Sequence, residues 1–294
     1  MQDDRRQERE RRIRGDWIPG GPTPAGAMGD PTLEPAADET LDRLGGDWRI
    51  FQLRRGHRYS TDDLLAAWYG CHWATRLGLA IGAILDLGCG IGSVGLLAAW
   101  RFPGARLTGI EAQERSAGLA RRSYRYNGLQ ERGEVRHGDL RDPALLPEAG
   151  TFDLVFGSPP YLPRGTGSVS LRPQCEPCRF ETRGGVEGYC EAIRRALAPE
   201  GLGALVFTWR DRERVLAAVA AAGLSLLAQR AVITRAGQAP LLDLLLCGAG
   251  GRAPLQEREP PALLVRQADG RRSEEMGRIR VEMGFPPERA GAPT

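Results

Sequence analysis

Between residues 83 and 222, short apolar runs alternate with amphipathic stretches, and this alternation constrains the fold more than any other feature. The runs that predict strands are 83–86, 107–110, 135–137, 152–156 and 203–207. Apolar residues at helical spacing lie between them, over 93–101, 114–126, 186–197 and 212–222. Because strands that alternate with helices form parallel sheets with helices on both faces, the sequence predicts an α/β fold.

Two later apolar runs, 229–234 and 241–247, are joined by a short turn-rich segment and predict an antiparallel pair that closes the sheet. The expected fold is therefore Rossmann-like, with a mostly parallel sheet of seven strands. Residues 1–45 are first charged and then rich in Pro and Gly, so we expect a flexible tail. The folded domain is expected over 46–270, with a C-terminal extension over 271–294.

The charged residues exclude several classes of mechanism. All 40 basic residues are arginine, which excludes Schiff-base or P-loop chemistry that needs a lysine. The net charge of +3 confines any nucleic-acid binding to a local patch. No apolar stretch is long enough to span a membrane, and the six cysteines at uneven spacings indicate reduced thiols. We therefore expect a cytoplasmic protein.

A glycine-rich turn follows the first strand of the alternating region. Asp86 ends that strand, and Gly88, Gly90 and Gly92 follow in the sequence DLGCGIG. Glycines there permit a tight turn and allow a ligand to lie against the backbone at the carboxyl edge of the sheet. Glu111 ends the next strand, where a carboxylate can accept both hydroxyls of a ribose. The dinucleotide fingerprint G-x-G-x-x-G is not met.

This arrangement resembles the first motif of class I S-adenosylmethionine-dependent methyltransferases. The resemblance implies S-adenosylmethionine as the cofactor, with Asp86 and the three glycines beside its methionine part and Glu111 at its ribose. It also implies that Asp139, after the third strand, accepts a hydrogen bond from the adenine amino group. A plain Gly-Asp turn is the alternative for Asp139.

The fourth strand ends in Ser158, Pro159, Pro160 and Tyr161. The two prolines stiffen the backbone, so the Pro159 carbonyl can be held toward a cleft. Together with the Ser158 hydroxyl it offers two acceptors for the hydrogens of a planar amine, while the Tyr161 ring can stack on the π face. Accepting both hydrogens favours the pyramidal amine, whose lone pair is then free for in-line attack on a sulfonium methyl.

These residues resemble the fourth motif of the amino-methyltransferases. The segment FQLRRGHRYSTDDLLAAW is similar to the N-terminal region of the valine-tRNA adenine-N6 methyltransferase family. That resemblance implies an enzyme that methylates adenine N6 in tRNA, with Thr61 and Asp62 close to the cofactor. The family usually carries Asn where this chain has Ser158, and serine also occurs there in enzymes that methylate cytosine.

Two other functions remain open. A protein glutamine N5 methyltransferase of the release-factor type would need the same two acceptors, and a non-catalytic RNA-binding relative would keep only the fold. RNA is the expected partner, and a monomer is favoured. The long segment after Tyr161 could grip phosphate through its arginines, and its Cys175 and Cys178 are interpreted as loop thiols rather than zinc ligands. Arg121, Arg122 and Arg125 are interpreted as the solvated face of a helix.

Overall fold

An eight-stranded sheet forms the centre of the molecule, and a separate two-stranded hairpin packs beside it. The computed structural model describes residues 17–56, 58–146, 150–160, 185–255 and 261–287. The hairpin consists of β1 (Glu39–Arg43) and β2 (Arg49–Leu53). The large sheet contains β3 (Ala83–Leu87), β4 (Arg106–Glu111), β5 (Gly133–His137), β6 (Phe152–Gly157), β7 (Leu197–Thr208), β8 (Leu224–Arg235), β9 (Leu242–Ala249) and β10 (Leu263–Arg266).

Six α-helices connect or flank these strands in the described part of the chain. They are α1 (Thr61–Arg76), α2 (Ser93–Arg101), α3 (Glu114–Tyr126), α4 (Val186–Ala196), α5 (Arg212–Ala221) and α6 (Glu274–Glu282). The strand order is β10-β8-β9-β7-β6-β3-β4-β5, and β9 alone among these strands runs antiparallel to its neighbours. Among the described helices, none is long and apolar enough to cross a membrane.

The α/β architecture with helices on both faces and an antiparallel closing pair is confirmed, but the predicted count of seven strands is wrong. The eighth strand, β10, has four residues and pairs in parallel with β8 at the edge of the sheet. A strand of four residues lies at the lower limit of the about four to eight residues over which alternation indicates a strand, so it was not recognised in the sequence.

Alternate residues of each central strand pack on opposite faces of the sheet. Ile84 and Leu154 belong to the hydrophobic cluster that includes α1, α2 and α3. The next residues, Leu85 and Val155, belong to the cluster that includes α4 and α5. These central strands are mostly apolar on both faces because parallel strands covered on both sides have no solvent side.

Part of the expected N-terminal tail is folded against helix α3. Within 17–45, residues Glu39–Arg43 form β1, and Leu33, Leu41 and Leu44 are buried. The Arg122 side chain forms an ion pair of 2.7 Å with Glu39, and its guanidinium lies 4.1 Å from the centre of the Phe51 ring. Arg122 and Arg125, interpreted as part of a solvated face, instead pair with Glu39 and Asp30 of this segment, whereas Arg121 pairs with Glu114 of α3 itself.

The C-terminal segment packs into the same core. Met276, Ile279 and Met283 are buried within the cluster of α1 and α2, so the expected boundary at residue 270 falls inside one packed unit. The Gly46 N–H donates to the Gly284 carbonyl over 2.8 Å. An ordinary amphipathic helix over 274–282 therefore completes the core.

Candidate active site

The predicted site residues meet at one edge of the large sheet. Strand β3 lies between β4 and β6, and β5 lies beyond β4. All four strands are parallel, so the turn after β3, Glu111, Asp139 and Ser158 follow neighbouring carboxyl ends. The topology thus brings together residues that are up to 72 positions apart in the chain, from Asp86 to Ser158. This is the edge at which α/β folds bind ligands.

Glu111 holds the glycine turn in shape. Its Oε2 atom accepts a hydrogen bond of 2.9 Å from the Gly90 N–H, and Oε1 accepts one of 2.6 Å from the Gln113 N–H. The side chain is only 6% exposed. Each carboxylate oxygen can accept more than one hydrogen bond, so the two oxygens retain acceptor capacity for a pair of hydroxyls.

The three glycines of the turn have left-handed backbone angles but different surroundings. A Cβ atom on Gly88 (φ 62°) would lie 2.2 Å from the Tyr189 hydroxyl oxygen, and one on Gly92 (φ 86°) would lie 2.9 Å from the Tyr124 ring. A Cβ atom on Gly90 (φ 56°) would have no heavy atom of a described residue within 4 Å. Gly88 and Gly92 are thus required by packing, whereas Gly90 presents open backbone to a ligand.

Asp86 is buried beneath the start of α2. It is 3% exposed and accepts a 2.8 Å hydrogen bond from the Gly95 N–H. Burial, with a further contribution from the nearby charges of Asp63 and Glu111, raises the pKa of Asp86 to about 7. A carboxylate in such a position favours a cationic group nearby, which suits the ammonium end of an amino acid.

The N-terminus of α1 reaches the site through Asp63 rather than through the two preceding residues. Ser60 is the N-cap, and Asp63 completes a capping box by accepting the Ser60 N–H over 2.8 Å. Asp63 also contacts Ser93, the first residue of α2, and burial raises the pKa of Asp63 to about 6. Thr61 is exposed, and Thr61 and Asp62 line a neighbouring cavity.

Asp63 was not among the predicted site residues, which included Thr61 and Asp62 from this turn. The spacing of Ser60 and Asp63 was the available signal, because Ser followed three residues later by an acid resembles a capping box. Tyr189 was also missed as a site neighbour. Its ring would contact a Cβ atom on Gly157, at 3.0 Å, as well as one on Gly88. It therefore packs between the glycine turn and the end of β6.

Asp139 follows β5, and its side chain is fixed by hydrogen bonds from Arg141, two residues later in the same turn. Its carboxylate accepts hydrogen bonds of 2.9 Å and 2.6 Å from the Arg141 guanidinium, and a further one of 2.9 Å from the Arg141 N–H. This arrangement combines the two predicted alternatives, a Gly-Asp turn and a carboxylate at the carboxyl edge. A ligand amino group would share the Asp139 oxygens with Arg141.

Ser158 and Pro159 lie directly beyond the end of β6, where Gly157 pairs with Leu87 of β3. Ser158 is half-buried and Pro159 is buried. Tyr161, Cys175, Cys178 and the arginines of the following segment lie outside the described residues. Among the residues that are described, no cluster of His, Cys, Asp and Glu could hold a metal ion.

Comparisons with known proteins identify the family. The family described as "Methyltransferase domain" matches residues 84–163. A tRNA1(Val) (adenine(37)-N6)-methyltransferase from Aeromonas hydrophila is 31% identical over 212 residues, which cover 70% of this chain and 81% of that protein. The chain belongs to this methyltransferase family. It is a class I S-adenosylmethionine-dependent methyltransferase, and S-adenosylmethionine is its cofactor.

Other relatives of the methyltransferase differ in name. A ribosomal protein uL3 glutamine methyltransferase from Bradyrhizobium diazoefficiens is 35% identical over 127 residues, or 42% of this chain and 38% of that protein. A predicted O-methyltransferase from Agrobacterium tumefaciens has a similar structure, with a TM-score of 0.55 at 19% identity over 79% of this chain and 99% of that one. The structural likeness supports the fold alone.

The buried carboxylate predicts an unusual pH dependence of the cofactor-free methyltransferase. The pKa of Asp86 is raised from 3.8 to about 7 in the folded state, so the folded protein binds the proton more tightly than the unfolded chain. Stability should therefore fall as the pH rises from about 4 to about 7. Because each pKa unit corresponds to about 1.4 kcal/mol, we expect Asp86→Asn to increase the free energy of unfolding at pH 8 by about 2 kcal/mol.

Urea unfolding at pH 5.5 and pH 8 measures this effect. The Asn variant should gain most at pH 8, while Asp269→Asn, at an exposed turn, should match the wild type at both values. A loss of stability at pH 8 in the Asp86 variant would contradict the proposed burial cost.

Proposed function

We propose that this methyltransferase methylates an exocyclic amino group and that the group is adenine N6 in a tRNA. The observation that carries the proposal is the extent of similarity to the tRNA adenine-N6 relatives. One from Shewanella sp. (strain MR-4) is 28% identical over 231 residues, covering 78% of this chain and 92% of that protein. A match of that length is not confined to the cofactor motif, which all class I methyltransferases share.

The cofactor would be held by the residues of the glycine turn and its neighbours. The Glu111 carboxylate accepts the ribose hydroxyls, and Asp139 accepts from the adenine amino group. The open backbone at Gly90 borders the methionine part, together with Gly88, Gly92, Asp86 and the N-terminal turn of α1. In that turn Asp63 lies beside the glycine turn, while the predicted Thr61 and Asp62 line the neighbouring cavity. When bound, S-adenosylmethionine supplies an electrophilic methyl group on a sulfonium sulfur.

The substrate amine would be held at the end of β6. The Ser158 hydroxyl and the Pro159 carbonyl accept its two hydrogens, and the stiff Pro159-Pro160 backbone keeps these acceptors in position. Tyr161, which lies outside the described residues, remains a prediction from the sequence as the ring that stacks on the base. The proton leaves to water after transfer, so the reaction needs no strong base, and the protein contributes positioning and electrostatic stabilisation.

A glutamine side chain is the second candidate substrate, because its amide presents the same two hydrogens to the same acceptors. The uL3 glutamine methyltransferase supports it with 35% identity, although over 127 residues only. A third candidate, a non-catalytic RNA-binding protein, would retain the fold and cofactor binding without turnover. The three candidates differ in which molecule acquires methyl.

Transfer of a labelled methyl group to bulk tRNA, rRNA and protein, each prepared from cells that lack this gene, tests the proposal. We expect methyl on tRNA, recovered as N6-methyladenosine by mass spectrometry. Labelled cytosine or labelled protein would show that adenine is not the target. No labelled product despite tight cofactor binding would favour the non-catalytic protein.

The role of Ser158 can be tested in the same assay. We expect Ser158→Ala to lower kcat at least tenfold, because removing one neutral hydrogen bond in the transition state costs about 0.5–1.5 kcal/mol and an unpaired amine hydrogen costs more. Its cofactor affinity should stay at the wild-type value. Ser225→Ala is the matched control, since Ser225 lies at the opposite end of the sheet, near the start of β8. Equal kcat for both variants would remove Ser158 from the transfer site.

A further inference from the structure

Three arginines lie side by side at the sheet edge that also carries the active site. Arg235 ends β8 and pairs with Arg266 of β10, and Arg266 forms an antiparallel bridge with Arg272. We call these three residues the arginine row. Residues that pair across neighbouring strands extend their side chains on the same side of the sheet, and like charges placed directly opposite are destabilising.

No carboxylate described in the structure offsets Arg235 or Arg266. Arg235 is exposed and forms no ion pair with a described residue. Arg266 donates to the Gly270 carbonyl over 2.7 Å, a neutral partner. The nearby acids are engaged elsewhere: Glu275 pairs with Arg230 at 2.8 Å, and Asp269 lies 3.7 Å from Arg271. Two uncompensated guanidinium groups in register have the spacing and charge to hold an anion.

Two members of the arginine row border a cavity of about 380 Å³ between β8, β10 and the N-terminus of α1. Arg235 and Arg266 line this cavity together with Gln238, Thr61 and Asp62. Asp62 is the one acidic residue among the described residues that line it. A volume of this size falls within the range of about 300–1,000 Å³ found for ligand pockets. The cavity is therefore large enough for one nucleotide unit.

The location of the cavity relates it to the active site. Strands β8 and β6 are parallel and separated by β9 and β7, so three strand spacings of about 4.8 Å, roughly 14 Å, lie between them across the sheet. The strand register also places Arg235 about six residues, roughly 20 Å, beyond the level of Gly157 along the strands. Helix α1 connects the two places: Asp63 contacts the start of α2 beside the glycine turn, while Thr61 and Asp62 line the cavity. An anion at the arginine row would thus lie beside the transfer site at a distance of several nucleotides, without entering it.

We propose that the arginine row binds a backbone phosphate of the RNA substrate, in the strand that flanks the target base. The inference rests on the proposed function, since it requires an RNA substrate. The row positions the RNA and reads no sequence, because phosphate contacts fix register while base contacts specify. A target base that has left its stack needs such a hold on the neighbouring backbone.

Binding of bulk tRNA, measured over a series of salt concentrations, tests the arginine row. For Arg235→Gln/Arg266→Gln we expect a Kd about tenfold above the wild type at moderate salt. The slope of log K against log[salt] should become shallower by about 0.7–0.9 for each phosphate that the variant no longer neutralises. The KM for tRNA should rise in parallel, with cofactor affinity unchanged. Arg235→Lys/Arg266→Lys keeps the charges and should retain most of the slope.

Arg106→Gln is the matched control, because exposed Arg106 begins β4 at the opposite edge of the sheet. Suppose that the wild type methylates tRNA and that Arg235→Gln/Arg266→Gln retains the wild-type Kd, KM and salt slope. This result would overturn the proposed role of the arginine row and leave the proposed function intact. A wild type that neither binds nor methylates any RNA would overturn both. If the salt slope of Arg106→Gln became as shallow as that of Arg235→Gln/Arg266→Gln, the effect would be one of overall charge, and the proposal would also be overturned.

Discussion

Replacing Glu111 by glutamine is expected to weaken S-adenosylmethionine binding about a hundredfold. Hydrogen bonds to a charged group contribute about 1.5–3 kcal/mol each, and each 1.4 kcal/mol is a factor of ten in Kd. The amide would keep one acceptor oxygen and place an NH₂ group opposite either the Gly90 N–H or the Gln113 N–H, both of which now donate to the carboxylate. The glycine turn would lose its fixed shape together with its contact to the ribose.

Isothermal titration of the purified variant with S-adenosylmethionine measures the weaker binding. Glu274→Gln is a suitable control, since Glu274 is exposed on α6 and pairs only loosely with Arg278 at 3.3 Å. Its affinity should equal that of the wild type. If Glu111→Gln bound the cofactor within threefold of the wild type, Glu111 would not be a ribose ligand.

Two neighbouring glycines should respond differently to the same substitution, one mainly in stability and the other mainly in cofactor affinity. Gly88→Ala directs its methyl group to within 2.2 Å of the Tyr189 hydroxyl, so we expect a loss of stability of about 2–4 kcal/mol from overpacking and left-handed strain. Gly90→Ala meets no described protein atom within 4 Å and should lose only about 1–2 kcal/mol from backbone strain. Its methyl group would occupy the ligand space, so cofactor affinity should fall at least tenfold.

Urea unfolding without cofactor and titration with cofactor separate the two effects. Gly237→Ala serves as the control for strain alone, because Gly237 has φ 83° and open surroundings in the turn after β8. Gly90→Ala should resemble this control in stability and differ from it in affinity. Wild-type affinity in Gly90→Ala would place the cofactor away from this backbone.

The sequence carried enough information to locate the central sheet and the turns at its edge. The apolar runs around Ile84, Leu107 and Val155 became strands β3, β4 and β6 within one or two residues, because buried parallel strands show continuous apolar character. Gly88, Gly90 and Gly92 could be assigned to a ligand-binding turn from local sequence as well, because they directly follow the first of these strands. The sequence could not show which of these glycines faces the ligand and which faces protein, because Tyr189 approaches Gly88 from a helix about 100 residues later.

Most of the features that could not be predicted from the sequence depend on side-chain partners far apart in the chain. Arg122 has the spacing of a solvated helical residue, yet it packs on Phe51 and pairs with Glu39. Nothing local distinguishes it from a surface arginine, because its partners lie about 70 and 80 positions earlier. Strand β10 was missed for a related reason: four residues become a strand only when β8 supplies the hydrogen bonds.

The hydrogen bond from Gly46 to Gly284 has a consequence for how the chain folds during synthesis. It joins positions separated by 238 residues, and Trp68 makes a comparable contact with Glu282 over 3.0 Å. The hairpin and α1 emerge early from the ribosome but lack part of their packing until α6 follows, and contacts of such long range slow folding. The hairpin and α1 thus complete their packing only once translation has reached α6, so their final docking belongs to a late stage of folding.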